Sequence, residues 1–430
     1  MKRRISVALC LAVVSAAAIA AGTMGATSKA TATTLTVWLQ VDAQSGWPTV
    51  VQQANDAFTK QHPDVTVDVQ YQQWNTHLQK FDATLAGGNT PDVIEMGNTE
   101  MTKYMAAGAF ADITADKGKF PNSSSWLKGL EQSSTYGGKL YGVPYYAGSR
   151  VVIYRTDYFK KAGISAPPTS LSQLTADGKK LMAAYGAKDK TFSAFYVAGP
   201  DWYSAMSFVY DYGGQIATSN GTQWTGALDQ PNAIKGLTAY KDTFLALSRA
   251  SKTQDEAHPF PTTPFAQGHA ASFLGPGWQY GYALDPKAGN PKLKPVIAAF
   301  AMPSHVAGKT MPAFLGGSDL AIPAGSQNKS LAEDWIAAFT STAGESGIVK
   351  AGNIPNSTSL LSLVKGSPGT QLARAAQRTW FVPTAKNWAN VENGNVLRNM
   401  LTQILTGKKS VQAAATDASK QITSMLNAST

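Results

Sequence analysis

A set of aromatic side chains stands out because its members often lie beside glycine, proline, asparagine or aspartate. These positions fall at the ends of predicted helices and strands. The set comprises Trp38, Trp74, Tyr145, Tyr146, Trp202, Tyr203, Trp278, Tyr280, Trp380 and Trp388. Aromatic rings stack on the apolar C–H faces of sugars, and nearby Asn, Gln, Asp and Glu side chains would bond to hydroxyl groups. The pattern is typical of a cleft for a neutral oligosaccharide, although each ring taken singly is more typical of a hydrophobic core.

The segment FLGPGWQYGYAL, residues 273–284, presents both interpretations of such a ring. Its glycines and proline predict a tight turn at residues 275–277, between a buried strand and the start of a helix. The ring of Trp278 then either enters the core or is displayed beside backbone that glycine allows a ligand to approach. The segment alone does not decide between the two.

Residues 35–107 alternate between the patterns of strands and helices. The predicted strands are 35–39, 65–71 and the segment PDVIEMGN, and the predicted helices are 47–61, 74–85 and 101–105. This order is typical of a mainly parallel sheet covered by helices. Ligands of such sheets lie beyond the carboxyl ends of the strands. Those ends are residues 40–44, 73–75 and 95–99, which include Gln40, Asp42, Trp74, Glu95 and Asn98.

The rest of the chain continues this mixture of elements. Two extended segments are predicted within 133–155, mostly helix over 157–250 with a strand at 192–197, strands near 296–302 and 318–322, a helix at 331–340 and two C-terminal helices. At 430 residues the chain is too long for one ordinary core. We therefore predict two domains of the α/β class.

The N-terminal segment, residues 1–32, has the three parts of a secretory signal peptide. Basic residues at positions 2–4 precede the apolar run 5–21, and small residues around Ala30 suit cleavage. An uncleaved membrane anchor is the alternative. The single cysteine, Cys10, lies in this segment, so the mature chain would have no disulfide and no cysteine ligand. A bulky residue before Cys10 makes a poor lipid-attachment site, so no lipid anchor is expected.

The charge of the chain is modest and dispersed. Removing residues 1–32 takes away four of 37 basic residues and no acid, which leaves 33 against 27 acidic residues and a net charge of +6. These basic residues form no run of four or more, which argues against nucleic-acid binding. A hydrophobic content of 43% with 15% charged residues is typical of a soluble globular protein.

Motifs for catalysis are weak. PSHVAGKT, residues 303–310, resembles a phosphate-binding loop, but Pro303 stands where the loop needs glycine. The five histidines lack the spacing of metal ligands, so neither a metal nor a cofactor is predicted. Glu95 and Glu100 are the candidate carboxylate pair of a secreted carbohydrate hydrolase, which is the alternative function from another class.

The chain resembles extracellular solute-binding proteins of sugar ABC transporters over essentially its whole mature length. The resemblance rests on the order and spacing of TLTVWL, FTKQHPDVTVDVQ, LAGGNTPDVIEMGN, YGGKLYGVPYYAGSRVVIYRTDYFKKAGI, FLGPGWQYGYAL, LGGSDLAIP and AGNIPNS. Within that family, VIEMGNTEMTKYMAAGAFADIT is most similar to binding proteins for chito-oligosaccharides such as diacetylchitobiose.

The resemblance implies a two-lobed α/β fold of the periplasmic-binding-protein type, with a hinge and a ligand cleft between the lobes. Lobe one would comprise residues 33–144 and 300–342, and lobe two residues 145–299 and 343–430. The implied function is capture of a sugar or oligosaccharide by an extracytoplasmic, monomeric binding protein without enzymatic activity. Its closed form would deliver the ligand to an ABC permease. A polyol or a peptide is the alternative ligand for the same fold.

The family also implies roles for individual residues. Trp278 matches a recurrent tryptophan after a glycine-rich turn, and Trp202 after GPD matches a second stacking position. We therefore expect Trp278 to be displayed under a sugar ring and Tyr145 and Tyr146 to flank the cleft. Hydrogen bonds to hydroxyls are expected from Gln40, Asp42, Glu95, Asn98 and Ser318, and stacking from Trp74. Arg150 is expected to pair with an acidic residue and not with the sugar.

Overall fold

The computed structural model describes residues 33–74, 76–256 and 258–428. The predicted signal peptide, residues 1–32, lies outside the described residues. Within the described part of the chain, no helix combines the length and the apolar character needed to cross a lipid bilayer.

The described residues form strands and helices throughout. The strands are β1 (Thr33–Gln40), β2 (Val65–Gln72), β3 (Val93–Gly97), β4 (Thr135–Tyr136), β5 (Lys139–Leu140), β6 (Gly142–Gly148), β7 (Arg150–Arg155), β8 (Ala217–Ser219), β9 (Trp224–Gly226), β10 (Ser272–Pro276), β11 (Ile297–Phe300), β12 (Ala313–Phe314), β13 (Gly316–Ala321), β14 (Ile354–Pro355) and β15 (Thr379–Trp380). The helices are α1 (Val41–Gly46), α2 (Pro48–Gln61), α3 (His77–Gly87), α4 (Met101–Ala106), α5 (Lys128–Ser133), α6 (Thr156–Lys161), α7 (Leu171–Leu181), α8 (Trp202–Asp211), α9 (Pro231–Leu247), α10 (Thr262–Gln267), α11 (Trp278–Ala283), α12 (Lys329–Phe339), α13 (Thr342–Lys350), α14 (Gly369–Ala375), α15 (Trp388–Asn393), α16 (Val396–Leu405) and α17 (Val411–Leu426).

The larger sheet has six strands in the order β14-β6-β13-β3-β1-β2. Strand β1 pairs in parallel with β2 on one side and with β3 on the other. Strand β13 is antiparallel to both β3 and β6. The predicted parallel sheet of residues 35–107 is therefore confirmed, and distant segments of the chain extend it with an antiparallel half.

Both faces of this sheet are buried, as is usual where helices cover parallel strands. Successive side chains of a strand point to opposite faces. Along β1, Leu35, Val37 and Leu39 accordingly pack on the side of α2 and α12, whereas Trp38 packs with Ile94 on the side of α3 and α4. We call these two apolar clusters together the first core.

A second core surrounds the three-stranded antiparallel sheet β10-β7-β11. Helices α7 to α9 and α14 to α17 contribute apolar side chains to it. The predicted strand at 192–197 is wrong: the segment makes only isolated bridges, from Ser193 to Ala270 and from Tyr196 to Phe273. Between these bridges the amide of Phe195 turns to the carbonyl of Leu247, so a continuous strand ladder cannot form.

The chain crosses between the two cores along β6 and β7, between β11 and β13, and after β14. Strand β6 pairs with β13 along its whole length, and α13 packs against α2. Tyr145 and Ile348, which the sequence prediction assigned to lobe two, are therefore buried in the first core. Of the three predicted division points, those after residues 144 and 342 fall inside packed elements of that core, and the one after residue 299 falls inside β11 of the second core.

Gly317 lies where β13 meets β6, beside an irregularity of register between Ser318 and Asp319. Its φ of +139° is one that side chains rarely adopt, and a Cβ atom there would lie 2.0 Å from the carbonyl oxygen of Tyr146. We therefore expect Gly317→Ala to lower the free energy of unfolding by about 2–4 kcal/mol. Urea unfolding followed by circular dichroism measures this change.

Gly316 supplies the matched control for this substitution. A Cβ atom there would meet Phe314 Cε1 at 3.5 Å and the carbonyl oxygen of Gly148 at 3.6 Å, both ordinary contacts. Gly316→Ala should therefore change the free energy of unfolding by less than about 1 kcal/mol. Equal losses for the two variants would contradict a specific requirement for glycine at 317.

Candidate ligand-binding site

Neighbouring strands of the larger sheet bring Gln40 and Glu95 together. Gln40 is the last residue of β1, and Glu95 lies in β3, which pairs with β1 in parallel. The backbone amide of Gln40 donates to Glu95 Oε2 at 2.8 Å, and Gln40 Nε2 donates to the Glu95 carbonyl oxygen at 3.3 Å. Both side chains are buried.

The Glu95 carboxyl group is an unusual acid in its surroundings. Burial raises its pKa from 4.5 to about 7, against the lowering effect of the hydrogen bonds from Gln40 and Ser318. The nearby charge of Asp42 raises this pKa further. Glu95 Oε1 and Gln40 Oε1 have no hydrogen-bond partner among the described residues. Near neutral pH this group therefore exchanges between a neutral donor and a charged acceptor.

Strands β6 and β13 add hydroxyl groups to the same edge of the sheet. Ser318 Oγ lies 3.5 Å from the hydroxyl oxygen of Tyr146. The hydrogen bond from Ser318 lowers the pKa of Glu95, and the charge of Glu95 raises the pKa of Tyr146. Burial raises the pKa of the Tyr146 hydroxyl above its usual range. Both residues were predicted as ligand contacts from the family resemblance, and the antiparallel pairing of β13 with β6 is what makes them neighbours.

Trp74 is the exposed ring of this edge, with 39% of its surface accessible. Its indole N–H donates to Asp42 Oδ2, and its ring meets His77 edge-on at 5.3 Å between centroids. His77 Nε2 lies 2.9 Å from Glu100 Oε2. Burial lowers the pKa of His77, but the hydrogen bond to Glu100 and its charge outweigh burial and raise that pKa. Trp74 is thus held on one side while its other surface remains open.

Two predicted ligand contacts are buried and bonded to other residues of the protein. Tyr145 is completely buried, and its hydroxyl group is bonded to the indole N–H of Trp47 inside the first core. Tyr146 packs beside it, with its ring edge-on to Tyr145 and Trp47 at centroid distances of 4.7 and 5.4 Å, but it is only half-buried. Asn98 is also buried, and its side-chain amide donates to the carbonyl oxygen of Leu315 at 2.7 Å. It fastens β3 to the segment that crosses between the cores.

Trp202 begins α8 in the second core and is largely buried. Its ring stacks on the ring of Tyr203, with centroids 3.9 Å apart. The Arg150 guanidinium lies 4.6 Å from the centroid of Tyr203. We predicted an acidic partner for Arg150. Within the described residues the Nε atom of Arg150 has no hydrogen-bond partner. The nearby carboxylate of Glu256 forms an ion pair with Arg398.

Trp278 is displayed on the second core, with 42% of its surface accessible. Its ring contacts Tyr282 and Phe260 edge-on, with centroids 4.8 and 5.9 Å away. The predicted strand, turn and helix start are confirmed, but the turn is confined to Gly277, because β10 runs to Pro276 and α11 begins at Trp278. A Cβ atom at Gly277 would lie 2.6 Å from Leu372 Cδ1, so the end of that side chain would have to move.

A cavity of about 830 Å³ lies between the two cores, which we call the first cavity. The α4 side supplies Glu100, next to His77 and Trp74 of the edge described above. The opposite side supplies Trp202, Tyr203 and Glu392. Residues from both parts of the chain therefore face one space, into which an aromatic stack and carboxyl groups project.

The segment 386–398 was missed by the sequence analysis as a source of ligand contacts. Asn387, Asn390, Glu392, Asn393, Asn395 and Arg398 all line the first cavity. Burial raises the pKa of Glu392 to about 7, despite the lowering effect of Trp388, and the charge of Glu100 raises it too. The recurrence of asparagine in NWANVENGN was the available signal, but an asparagine-rich helix is equally typical of a solvated surface.

An α/β molecule with two cores and a polar, aromatic cavity between them has the architecture of a two-lobed solute-binding protein. The chain belongs to the family of bacterial extracellular solute-binding proteins, which residues 39–346 match. The predictions of the family, of the two-lobed fold class and of a binding protein instead of an enzyme are thereby confirmed.

One relative and two solved structures illustrate the likeness. The diacetylchitobiose binding protein DasA of Streptomyces coelicolor is 33% identical over 89% of this chain and 87% of its own. The sugar-binding protein MalE of Xanthomonas citri superposes with a TM-score of 0.79 at 20% identity, covering 92% of this chain and 97% of that one. The GacH receptor of Streptomyces glaucescens gives 0.75 at 18% identity, covering 93% and 100%.

The raised pKa of Glu95 predicts a pH dependence of stability. Because the folded chain holds this proton up to about pH 7 and the unfolded chain releases it near 4.5, the folded state binds more protons in between. The contribution of Glu95 is therefore present below pH 4.5 and is lost as pH rises through 7. Between pH 5 and 8 the wild type should lose about 2–3 kcal/mol of unfolding free energy relative to Glu95→Gln.

Urea unfolding of both proteins across this range tests the expectation. Taking the difference removes the contributions of Asp319 and Glu392, whose pKa values are raised by burial to about 8 and about 7 in both proteins. Asp56→Asn, at an exposed position of α2, is the control and should follow the wild type. Parallel pH profiles for the wild type and Glu95→Gln would show that Glu95 does not hold its proton.

Proposed function

We propose that this protein is the extracytoplasmic substrate-binding component of an ABC importer that captures a neutral oligosaccharide between its lobes. The observation that carries the proposal is the first cavity, where Trp202 and Tyr203 of one core face Glu100 of the other. Trp74 does not line this cavity but is linked to Glu100 through His77. Stacking rings and hydrogen-bonding carboxyl and amide groups suit sugar C–H faces and hydroxyls.

We further propose an oligosaccharide of N-acetylglucosamine, such as chitobiose, as the ligand. The support is the similarity to a protein named for diacetylchitobiose, at 33% identity over most of both chains. Amide groups of asparagine are numerous in the cavity wall at 387–395, and each can both donate to and accept from an acetamido group.

Binding would proceed without bond-making. Ligand contacts made from both sides of the cavity stabilise the closed arrangement of the lobes, and the closed form is the one that docks on the permease. Packing supports a division in which lobe one comprises residues 33–148 and 316–355, and lobe two the remainder to 428. We propose that a signal peptide at residues 1–32 directs export and that the protein acts as a monomer.

The hydrolase alternative has no support from the candidate carboxylate pair. Glu95 is buried and accepts a hydrogen bond from Gln40, and Glu100 accepts from His77 and from the amide of Gly97. Each group therefore has a local structural partner. A purified preparation that cleaves oligosaccharides would overturn the proposal.

Intrinsic tryptophan fluorescence tests the proposed ligand class. We expect a saturable change with chitobiose, smaller or absent changes with maltose, cellobiose and xylobiose, and recovery of unchanged sugar afterwards. A response to maltose or cellobiose instead would leave the binding function standing and replace the proposed ligand. A flat response to every sugar of the panel would contradict the sugar proposal.

Substitution of the exposed rings tests the proposed contacts. Trp74→Ala and Trp278→Ala should each weaken sugar binding by about 1–3 kcal/mol, or about 5- to 150-fold, because a stacking surface is lost. The melting temperature of the unliganded protein should change little, since 39% and 42% of these side chains are exposed. Isothermal titration calorimetry measures the affinities.

Leu245→Ala is the control for loss of exposed apolar surface. Leu245 lies on α9 with 44% of its surface accessible, and unlike Trp74 and Trp278 it is not among the predicted ligand contacts. Its variant should bind sugar as the wild type does. Wild-type affinity in Trp278→Ala would remove that residue from the site, even if Trp74→Ala behaves as expected.

A further inference from the structure

A second cavity of about 990 Å³ lies between the same two parts of the molecule. Helix α5 and the β4–β5 hairpin form one wall. The β8–β9 hairpin, residues 384–386 and the end of the described chain at 426–428 form the other. We call this space the second cavity, and none of its lining belongs to the predicted ligand contacts.

The two cavities adjoin. Lys386 lines both of them; the residues just before it line the second cavity, and Asn387 just after it lines the first. On the opposite wall, α4 beside the first cavity contacts β4 beside the second. Tyr136 of β4 packs against the apolar cluster that contains Tyr104 of α4. The cavities are therefore successive parts of one groove.

The second cavity repeats the chemistry of the first. Trp224 presents a half-buried ring, and Asn427 fixes its backbone by accepting from its amide at 2.9 Å and donating to its carbonyl at 2.7 Å. Gln132 and Gln223 add exposed amide groups, and the carboxylate of Glu131 is already paired with Lys117. Lys128 and Lys386 also line the cavity, so its donors include ammonium groups as well as amides. A fixed ring with such donors and with amide acceptors suits the C–H faces and hydroxyl groups of a sugar.

We infer that the second cavity is an extension subsite, which binds the further sugar residues of an oligosaccharide whose first residues occupy the first cavity. This inference rests on the proposed function and adds the length of the ligand to it. A space of about 830 Å³ is already within the range that holds a whole drug-sized ligand, so a disaccharide needs only the first cavity. The added space of about 990 Å³ serves longer chains.

Affinity measured against chain length tests the inference. Calorimetric titration with the chito-oligosaccharides of two to six residues should show an affinity gain of about five- to tenfold beyond the disaccharide, followed by a plateau. Trp224→Ala and Gln132→Ala should reduce that gain and leave the affinity for the disaccharide unchanged. Trp224→Phe, which keeps a ring, should restore most of it.

Trp224 packs against the second core, so its substitution can also destabilise the fold. Gln132 is exposed, so Gln132→Ala tests the subsite without that effect. Equal affinity for all lengths in the wild type would overturn the extension subsite and leave the proposed function standing. An equal loss for the disaccharide and the longer chains in Gln132→Ala would also overturn it. Absence of binding at every length would overturn both proposals.

Discussion

The antiparallel pairing of β6 with β13 is the interaction on which the rest of the molecule depends. Both strands lie in the larger sheet, and each continues directly toward the second core, β6 into β7 and β13 back to β12. Main-chain hydrogen bonds between them therefore hold two of the crossing segments side by side. The side-chain amide of Asn98 strengthens this junction by donating to the carbonyl oxygen of Leu315. Gly317 permits the close approach of the two strands. Relative movement of the cores must be accommodated around this fixed contact.

The same pairing organises the chemistry of the candidate site. It adds Tyr146 and Ser318 to the edge where parallel strands already present Gln40 and Glu95. Burial raises the pKa of the Glu95 carboxyl group to about 7, so near neutral pH it is protonated far more often than an exposed glutamate. Glu392, which lines the first cavity, has a similarly raised pKa. A carboxyl group of this kind in the cavity wall favours hydroxylated ligands over strongly charged ones.

Much of the first core could be predicted because its elements are local. Alternation in β2 and helical spacing in α2 and α12 are visible in the sequence, and each element formed close to its predicted bounds. The errors occur where a distant partner decides the outcome. Residues 192–197 have strand character, but the amide of Tyr196 bonds to Ser272 of β10 whereas the amide of Phe195 bonds to Leu247 at the end of α9. Tyr145 and Tyr146 are adjacent and chemically alike, and packing against Phe339, which is distant in the sequence, accompanies the complete burial of Tyr145 while Tyr146 stays half-buried.

The sequence by itself determined the class of fold, the family and the positions of strand ends, because these follow from local periodicity and from the order of short motifs. Tertiary structure alone decided which aromatic rings are accessible and which residues share a cavity. Trp202 has a buried stack and Trp278 an exposed face, although both begin helices. Glu392 and Glu100 face one cavity from positions almost 300 residues apart. No local pattern encodes such proximity, since it results from the packing of two separate cores against each other.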